Sequence, residues 1–216
     1  MNVLAIDGAL GLFSAAVACD DRITGCAQEP GNVALERGLT LAVHALREAG
    51  VRAGDLDRLA VGIGPGSFTG LRIAIAYAKS LAAAWRVPLV PISSFDLIEY
   101  GQPFGDVLAV VVGRPGVISA RYRRGPATRR ASGRIPEVLD ELLGSGVGAA
   151  LDVVGAPKDV LYALAERAVD VRPFDPAVTP AAAAAALAAG SRLPAASVHE
   201  VRADYGELPA AKIPKL

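Results

Sequence analysis

The chain has 216 residues, 52% of them hydrophobic, and its 22 basic residues balance 22 acidic ones. That length can bury roughly 70% of the surface an unfolded chain exposes, enough for one large domain or two small lobes. The apolar content excludes disorder, and the neutral balance gives no global field to recruit nucleic acid or a membrane, so any RNA contact must be local.

No apolar run approaches the ~18 residues that span a bilayer, and the N-terminus enters a strand pattern without a charged, then apolar leader, so a cytoplasmic protein is expected. The two cysteines, Cys19 and Cys26, fall on neighbouring predicted strands, where a cytosolic redox poise keeps thiols reduced. His44 and His199 are too far apart to form a His-x-x-x-His metal pair.

In chain order, Asn2 to Asp7, Phe13 to Cys19 and Arg22 to Ala27 read as three strands, an antiparallel start to a sheet. A loop from Glu29 to Asn32 precedes a helix over Ala34 to Ala49, which Gly50 terminates. The run Leu59 to Ile63 suits a buried strand. Gly62 to Gly70 then reads Gly-Ile-Gly-Pro-Gly-Ser-Phe-Thr-Gly, a strand end, a tight turn and a helix start in one stretch. Ser67 or Thr69 can cap that helix, whose first backbone N–H groups, approached closely across Gly64, Gly66 and Gly70, suit an anion. The alternative is a satisfied strand-to-helix connection. Arg72 in the first helical turn asks for a negative group nearby, or else reaches solvent. Leu89 to Ile92 completes a β-β-β-α-β-α-β series.

The two helices carry more apolar surface than one core contact needs. Leu35, Leu39, Ala42, Val43 and Leu46, continued by Gly38, Leu41, Ala45 and Ala49, cover an arc of about 200° at ~100° per residue, against the roughly 100° stripe of an ordinary surface helix. On the second helix, Leu71 to Arg86, only the line Arg72, Lys79 and Arg86 is cationic, and Ile73, Tyr77, Ala78 and Leu81 belong to an apolar remainder. Either the rest of the chain covers the surplus, or the helices present it to another protein.

Beyond Gly101 the punctuation Gln102-Pro103-Phe104-Gly105 marks a lobe boundary. Val107 to Val112 and Val117 to Tyr122 open a second strand set, followed by a helix over Ile135 to Leu143, a strand over Leu151 to Val154 and a helix over Val160 to Ala168. Thr179 as N-cap, Pro180 at the first helical position and Gly190 past the end frame an ordered poly-alanine helix over Ala181 to Ala189. The tail from Gly206 to Leu216 lacks periodicity and is expected to be mobile. The lobes therefore run over 1–101 and 102–205, with 206–216 as the tail. Seven arginines, from Arg114 to Arg134, fall within 21 residues that hold no acidic residue. Only Tyr122 interrupts the cluster as an aromatic stacking partner, which favours a solvated, mobile loop over an RNA-phosphate contact.

The string Gly64-Pro65-Gly66-Ser67-Phe68-Thr69-Gly70-Leu71-Arg72-Ile73 resembles the signature of the bacterial TsaB (YeaZ) family, a subunit of the machinery that makes threonylcarbamoyladenosine in tRNA. Val3-Leu4-Ala5-Ile6-Asp7 resembles that family's first strand, and Pro88-Leu89-Val90-Pro91-Ile92-Ser93-Ser94 the strand after its second helix. The resemblance covers about the first hundred residues. It implies an α/β, actin-like (ASKHA, ribonuclease-H-like) fold with two lobes of mixed sheet and flanking helices. It further implies a non-catalytic role in binding and activating the paralogue TsaD, alongside a TsaE-type ATPase, for transfer to N6 of adenosine 37, with self-association as a homodimer and contact with tRNA through the complex.

On that resemblance the two helices dock the partner through Leu35, Leu39, Ala42, Val43, Leu46, Ile73, Tyr77, Ala78 and Leu81. No cofactor of its own is implied, while ATP or ADP at the partner interface would approach Asp7, Gly64, Gly66, Ser67, Thr69 and Gly70. The chain departs from the family pattern in three places. Gly8-Ala9-Leu10 stands where relatives carry Thr-Ser-Thr, which removes phosphate-binding hydroxyls. Ala34-Leu35-Glu36-Arg37 lacks the His-Ser pair of the first helix, and Val112-Gly113-Arg114 replaces an Asp-Ala-Arg motif. Ser67 and Thr69 have no sequence-evident base, so capping is favoured over catalysis. The competing reading is an independent actin-like phosphotransferase or ATPase that holds nucleotide with Asp7 and the glycine turn.

Overall fold

The computed structural model describes residues 1–31, 34–101, 105–144, 150–190 and 193–206, with the side chains of 34 and 35 outside that description. Residues 207–216 of the mobile tail expected over 206–216, the boundary residues 102–104 and the side chain of Leu35 therefore lie outside the described residues.

Strands β1 (Asn2–Asp7), β2 (Leu12–Cys19) and β3 (Arg22–Pro30) form an antiparallel meander, and β4 (Arg58–Gly64) and β5 (Leu89–Ser93) extend it in parallel, giving the order β3-β2-β1-β4-β5. Helix α1 (Ala34–Ala49) joins β3 to β4, α2 (Phe68–Trp85) joins β4 to β5, and the short α3 (Ser94–Ile98) follows. The second sheet repeats the pattern. Strands β6 (Val107–Arg114), β7 (Val117–Arg124) and β8 (Ala127–Arg134) are antiparallel, β9 (Leu151–Val154) and β10 (Val171–Phe174) parallel, and the order is β10-β9-β6-β7-β8. Helices α4 (Ile135–Leu143) and α5 (Lys158–Glu166) stand where α1 and α2 stand in the first lobe. One topology used twice is the two-lobed architecture expected.

Strand alternation assigns each lobe's layers, since successive side chains point to opposite faces. Leu4, Ile6, Phe13, Val17, Leu59 and Val61 face α1 and α2, whereas Val3, Ala5, Ala16, Ala18, Ala60 and Val90 face α6 (Pro180–Gly190). In the second lobe, Leu108, Val110, Ile118 and Ala120 pack under α4 and α5, and Val107, Ala109 and Val111 pack against Phe95 and Ile98 of α3. All of Ala181 to Ala186 and Ala188 are buried, the pattern of a helix enclosed on every side. Its start is capped twice: Thr179 Oγ1 accepts from Ala182 N at 3.3 Å and the buried Ser14 Oγ accepts from Ala181 N at 3.2 Å.

Several elements differ from expectation. The strand β3 runs through Glu29 to Pro30 because Phe13 and Leu12 at the start of β2 pair with them, taking up the first two residues of the expected loop. The arginine-rich segment is no mobile loop; it is the β7–β8 hairpin, paired from Val117–Arg134 to Arg124–Ala127. Strand β10 and helix α3 were not anticipated, being short and without full periodicity. All strands of the second sheet follow residue 101, yet α6 and residues of the segment 193–204 return to the first sheet. Ala196 bridges Leu89, Val201 is buried in the first core, and Asp204 N donates to Ile63 O at 2.7 Å.

Candidate functional site

The Gly62–Gly70 segment makes the turn from β4 into α2 that its sequence calls for. Gly64 sits at φ +104°, a conformation that L side chains rarely adopt, and a Cβ there would overlap the Asp204 carbonyl oxygen. Ser67 is the N-cap, its Oγ accepting from Gly70 N at 3.3 Å, while Ser67 N donates to Ala9 O at 2.8 Å. Of the donors that the turn could offer to an anion, Ser67 N is thus engaged by the chain's own first loop and Gly70 N by the Ser67 cap, which favours the satisfied-connection alternative. Arg72 lies over the exposed Phe68 ring, 5.2 Å from its centroid, and Phe68 in turn packs against Tyr205 at 5.0 Å. Phe68 and Tyr205 were not singled out from sequence; only a lone aromatic inside a glycine turn hinted at the first.

Asp7 is fully buried. Its Oδ2 accepts from Ala9 N at 3.1 Å, whereas Oδ1 has no hydrogen-bond partner among the described residues. Burial pushes its carboxyl up to about 7, against the lowering effect of the Ala9 and Leu10 backbone donors. Of the six residues expected to approach a nucleotide, Gly64, Gly66 and Gly70 are buried with Asp7, and only Ser67 and Thr69 border the cavity between the lobes.

That cavity holds about 700 Å³. Leu10, Leu12, Leu97 and Ile98 line it from the first lobe, and Val110 to Val112 from the second. None of its described lining residues is ionisable. An actin-like site that holds phosphate and metal needs hydroxyls on the first loop and a carboxylate facing the cleft. Here the loop is Gly8-Ala9-Leu10 and the carboxylate is sealed beneath it, so these residues do not fit a metal-bound triphosphate. Among the described residues no group of three or more His, Cys, Asp or Glu side chains could hold a metal.

The expected docking helices divide sharply. Leu39 and Val43 are exposed at 46% and 43%, and Ile73, Tyr77 and Leu81 are half-buried. Ala42, Leu46 and Ala78 are instead buried in the first core, so they are corrected from surface to interior positions. The reason is geometric. The 200° arc on α1 combines a face toward the sheet with one toward solvent, and sequence alone does not place the boundary. The rings of Tyr77 and Phe13 meet edge-on at 6.1 Å beside Gly38, where a Cβ would strike both, so α1 and α2 are held close together.

Much of the arginine cluster is engaged within the chain. Arg121 ion-pairs with Glu99 at 2.9 Å and Asp96 at 2.6 Å, Arg123 pairs with Glu99 at 3.1 Å and Arg124 with Asp106 at 3.4 Å. Arg121 and Arg130 lie 5.2 and 5.3 Å from the Phe95 ring centroid. Arg129 donates to Leu142 O and Arg134 pairs with Glu137. The cluster thus joins the β7–β8 hairpin to the segment following β5. Cys19 and Cys26 are free thiols, each beside a threonine hydroxyl, and His44 and His199 are exposed.

Two sheets of identical topology, flanked by helices and meeting at a cleft, define an actin-like protein. YeaZ from Pseudomonas aeruginosa shares this architecture with a TM-score of 0.72 at 23% identity, covering 94% of this chain and 99% of that one. The family model described as TsaD, tRNA N6-adenosine threonylcarbamoyltransferase, matches residues 35–171, more than half of the chain, and the chain belongs to that family. It is 33% identical over 129 residues to the tRNA threonylcarbamoyladenosine biosynthesis protein TsaB of Escherichia coli, covering 57% of this chain and 56% of that protein. It is also 38% identical over 136 residues to an uncharacterized protein of Mycobacterium tuberculosis, covering 60% of this chain. The match spans 59% of that relative's length. Among the described residues no helix is long and apolar enough to cross a membrane.

Proposed function

We propose that this chain is a non-catalytic cytoplasmic subunit that binds and activates a TsaD-type paralogue, which transfers a threonylcarbamoyl group to N6 of adenosine 37 of tRNA. The observation that carries the proposal is the exposed apolar pair Leu39 and Val43, one turn apart on α1, together with the half-buried Ile73, Tyr77 and Leu81 of α2, a helix that packs against α1 where Tyr77 meets Gly38. Large apolar side chains so placed are stabilised when a partner removes them from water, at about 25 cal/mol per Å² of apolar area. The similarity to TsaB supports the assignment of that partner.

On this reading the role is architectural. The glycine turn fixes where α2 leaves the sheet, and close α1–α2 packing makes the two helices one rigid face. Any ATP or ADP belongs to the junction with the partner or to a TsaE-type ATPase, because the first loop and Asp7 are unsuited to hold phosphate. Without the paralogue, the same face pairs two copies in a homodimer; tRNA meets the subunit mainly through the complex, since Arg121, Arg123 and Arg124 are held in intramolecular ion pairs.

The test is co-purification with a TsaD-type paralogue, comparing wild type with Leu39→Glu and Ala76→Glu, both exposed positions. Loss of the complex with an unchanged melting temperature supports the proposal. Retained binding by both folded variants would sink it, and turnover of magnesium-ATP by the isolated chain would favour the independent ATPase instead.

A further inference from the structure

The cavity between the lobes has the position of a ligand site and the wrong chemistry for the ligand its fold usually takes. Ala9–Leu12 follows β1 and Ser67–Thr69 follows β4, while Val110–Gly113 lies toward the end of β6 and Gly155 follows β9. The strand pairs β1–β4 and β6–β9 are parallel, so the cavity lies off the carboxyl ends of parallel strands in both sheets. Open α/β sheets bind ligands in that crevice. A volume of about 700 Å³ also falls inside the range of roughly 300–1,000 Å³ typical of small-molecule sites.

We infer that this cavity binds an uncharged small molecule with an apolar body and one or two hydrogen-bonding groups. The walls decide the charge. With no ionisable side chain in the described lining, a phosphate or carboxylate entering it would lose hydration and meet no oppositely charged side chain, and the starts of α2 and α6 on its wall already carry side-chain caps from Ser67, Thr179 and Ser14. Leu10, Leu97, Ile98, Val110 and Val111 offer contact to an apolar body. The hydrogen-bonding groups have the exposed side chains of Thr69 and Gln28 to meet them at the first-lobe rim. Four of the chain's exposed large hydrophobic residues also stand on this cavity: Leu12 at 37%, Phe68 at 56%, Val112 at 43% and Val178 at 37%. An apolar ligand seated in the cleft removes that rim from water. The inference is independent of the docking face on α1.

Nile red, an uncharged dye with a fused-ring body and a carbonyl acceptor, serves as the probe for the full chain. Titration followed by fluorescence is expected to show a single saturable site. Val112→Trp, which adds bulk at an exposed rim position, and Val178→Lys, which brings a charge to the opposite rim, should each weaken binding at least about tenfold. Leu39→Glu, remote on α1, should leave it unchanged, and millimolar magnesium-ATP should not displace the dye. Circular dichroism melts identify which variants are folded. The inference is overturned if the folded rim variants bind like wild type, if Leu39→Glu abolishes binding, or if magnesium-ATP competes at micromolar concentration.

Discussion

Gly8 and Gly70 meet backbone to backbone where the first loop crosses the first turn of α2. A Cβ on Gly8 would lie 2.6 Å from the Gly70 carbonyl oxygen, and one on Gly70 would overlap the Gly8 carbonyl oxygen. The loop that in an actin-like nucleotide site would cover phosphate here packs onto the helix start. Because each hypothetical Cβ strikes main chain, no rotamer change relieves the clash. Gly70→Ala and Gly8→Ala should each destabilise the fold by roughly 2–4 kcal/mol, read as a shift in the urea midpoint. The double variant should show no rescue, since each substitution adds its own clash.

Asp7 makes stability depend on pH in a direction opposite to that of an ordinary ion-paired carboxylate. Its folded value of about 7 lies above the ordinary 3.8, so between those values the native state holds a proton that the unfolded state has released. The stabilisation is complete below the ordinary carboxylate range and is lost as pH rises through about 7. The full cost of the buried charge above that pH is at most about 4 kcal/mol. Asp7→Asn should therefore raise the urea midpoint at about pH 8 more than at about pH 5. An equal shift at both pH values would refute the assignment.

How much of this was legible in the sequence depends on the range of the forces involved. Helices α1 and α4 appear with their predicted ends because Gly50 and Gly144 follow them and their periodicity is local. The Ser67 cap and the Thr179 cap were likewise written in neighbouring residues. Strand β8 was hidden, since Ala127–Arg134 has four exposed residues at its start and only Ala131 buried, so its pairing with β7 rather than its own hydrophobicity makes it a strand. The cavity was invisible for a stronger reason: its walls come from residues as far apart as Ala9 and Pro180. Periodicity showed that α1 had two apolar sectors, and only the fold could say that Ala42 and Leu46 point inward while Leu39 and Val43 point out.

Arg121 and Glu99 form the least exposed ion pair between the hairpin and the first lobe, with side chains 9% and 8% exposed. Glu99 also receives Arg123, and Arg121 also reaches Asp96. Removing one member of a buried pair typically costs about 3–5 kcal/mol when it strands the other's charge, but here Glu99 keeps Arg123 and Arg121 keeps Asp96, so each single loss should fall below that range. Arg121→Met should thus lower stability measurably but by less than a stranded charge would, and adding Glu99→Leu should cost further, because Arg123 is then left without Glu99. A double-mutant cycle by chemical denaturation measures the coupling, and additive losses would show that the contact carries no energy.

Leu39 and Ala78 separate the surface of the helical pair from its core. Both were expected on one docking face, yet Leu39 is 46% exposed and Ala78 is fully buried between α2 and the sheet. A carboxylate at residue 78 would be buried with no cation provided, at a cost above about 3 kcal/mol, while one at residue 39 stays in water and changes stability by no more than about 0.5 kcal/mol. Ala78→Glu should therefore unfold the protein or lower its melting temperature sharply, and loss of partner binding in that variant would reflect the fold alone. Leu39→Glu should melt like wild type and bind the paralogue more weakly. Equal melting of the two variants would contradict the burial of Ala78, and wild-type affinity in folded Leu39→Glu would remove α1 from the docking face.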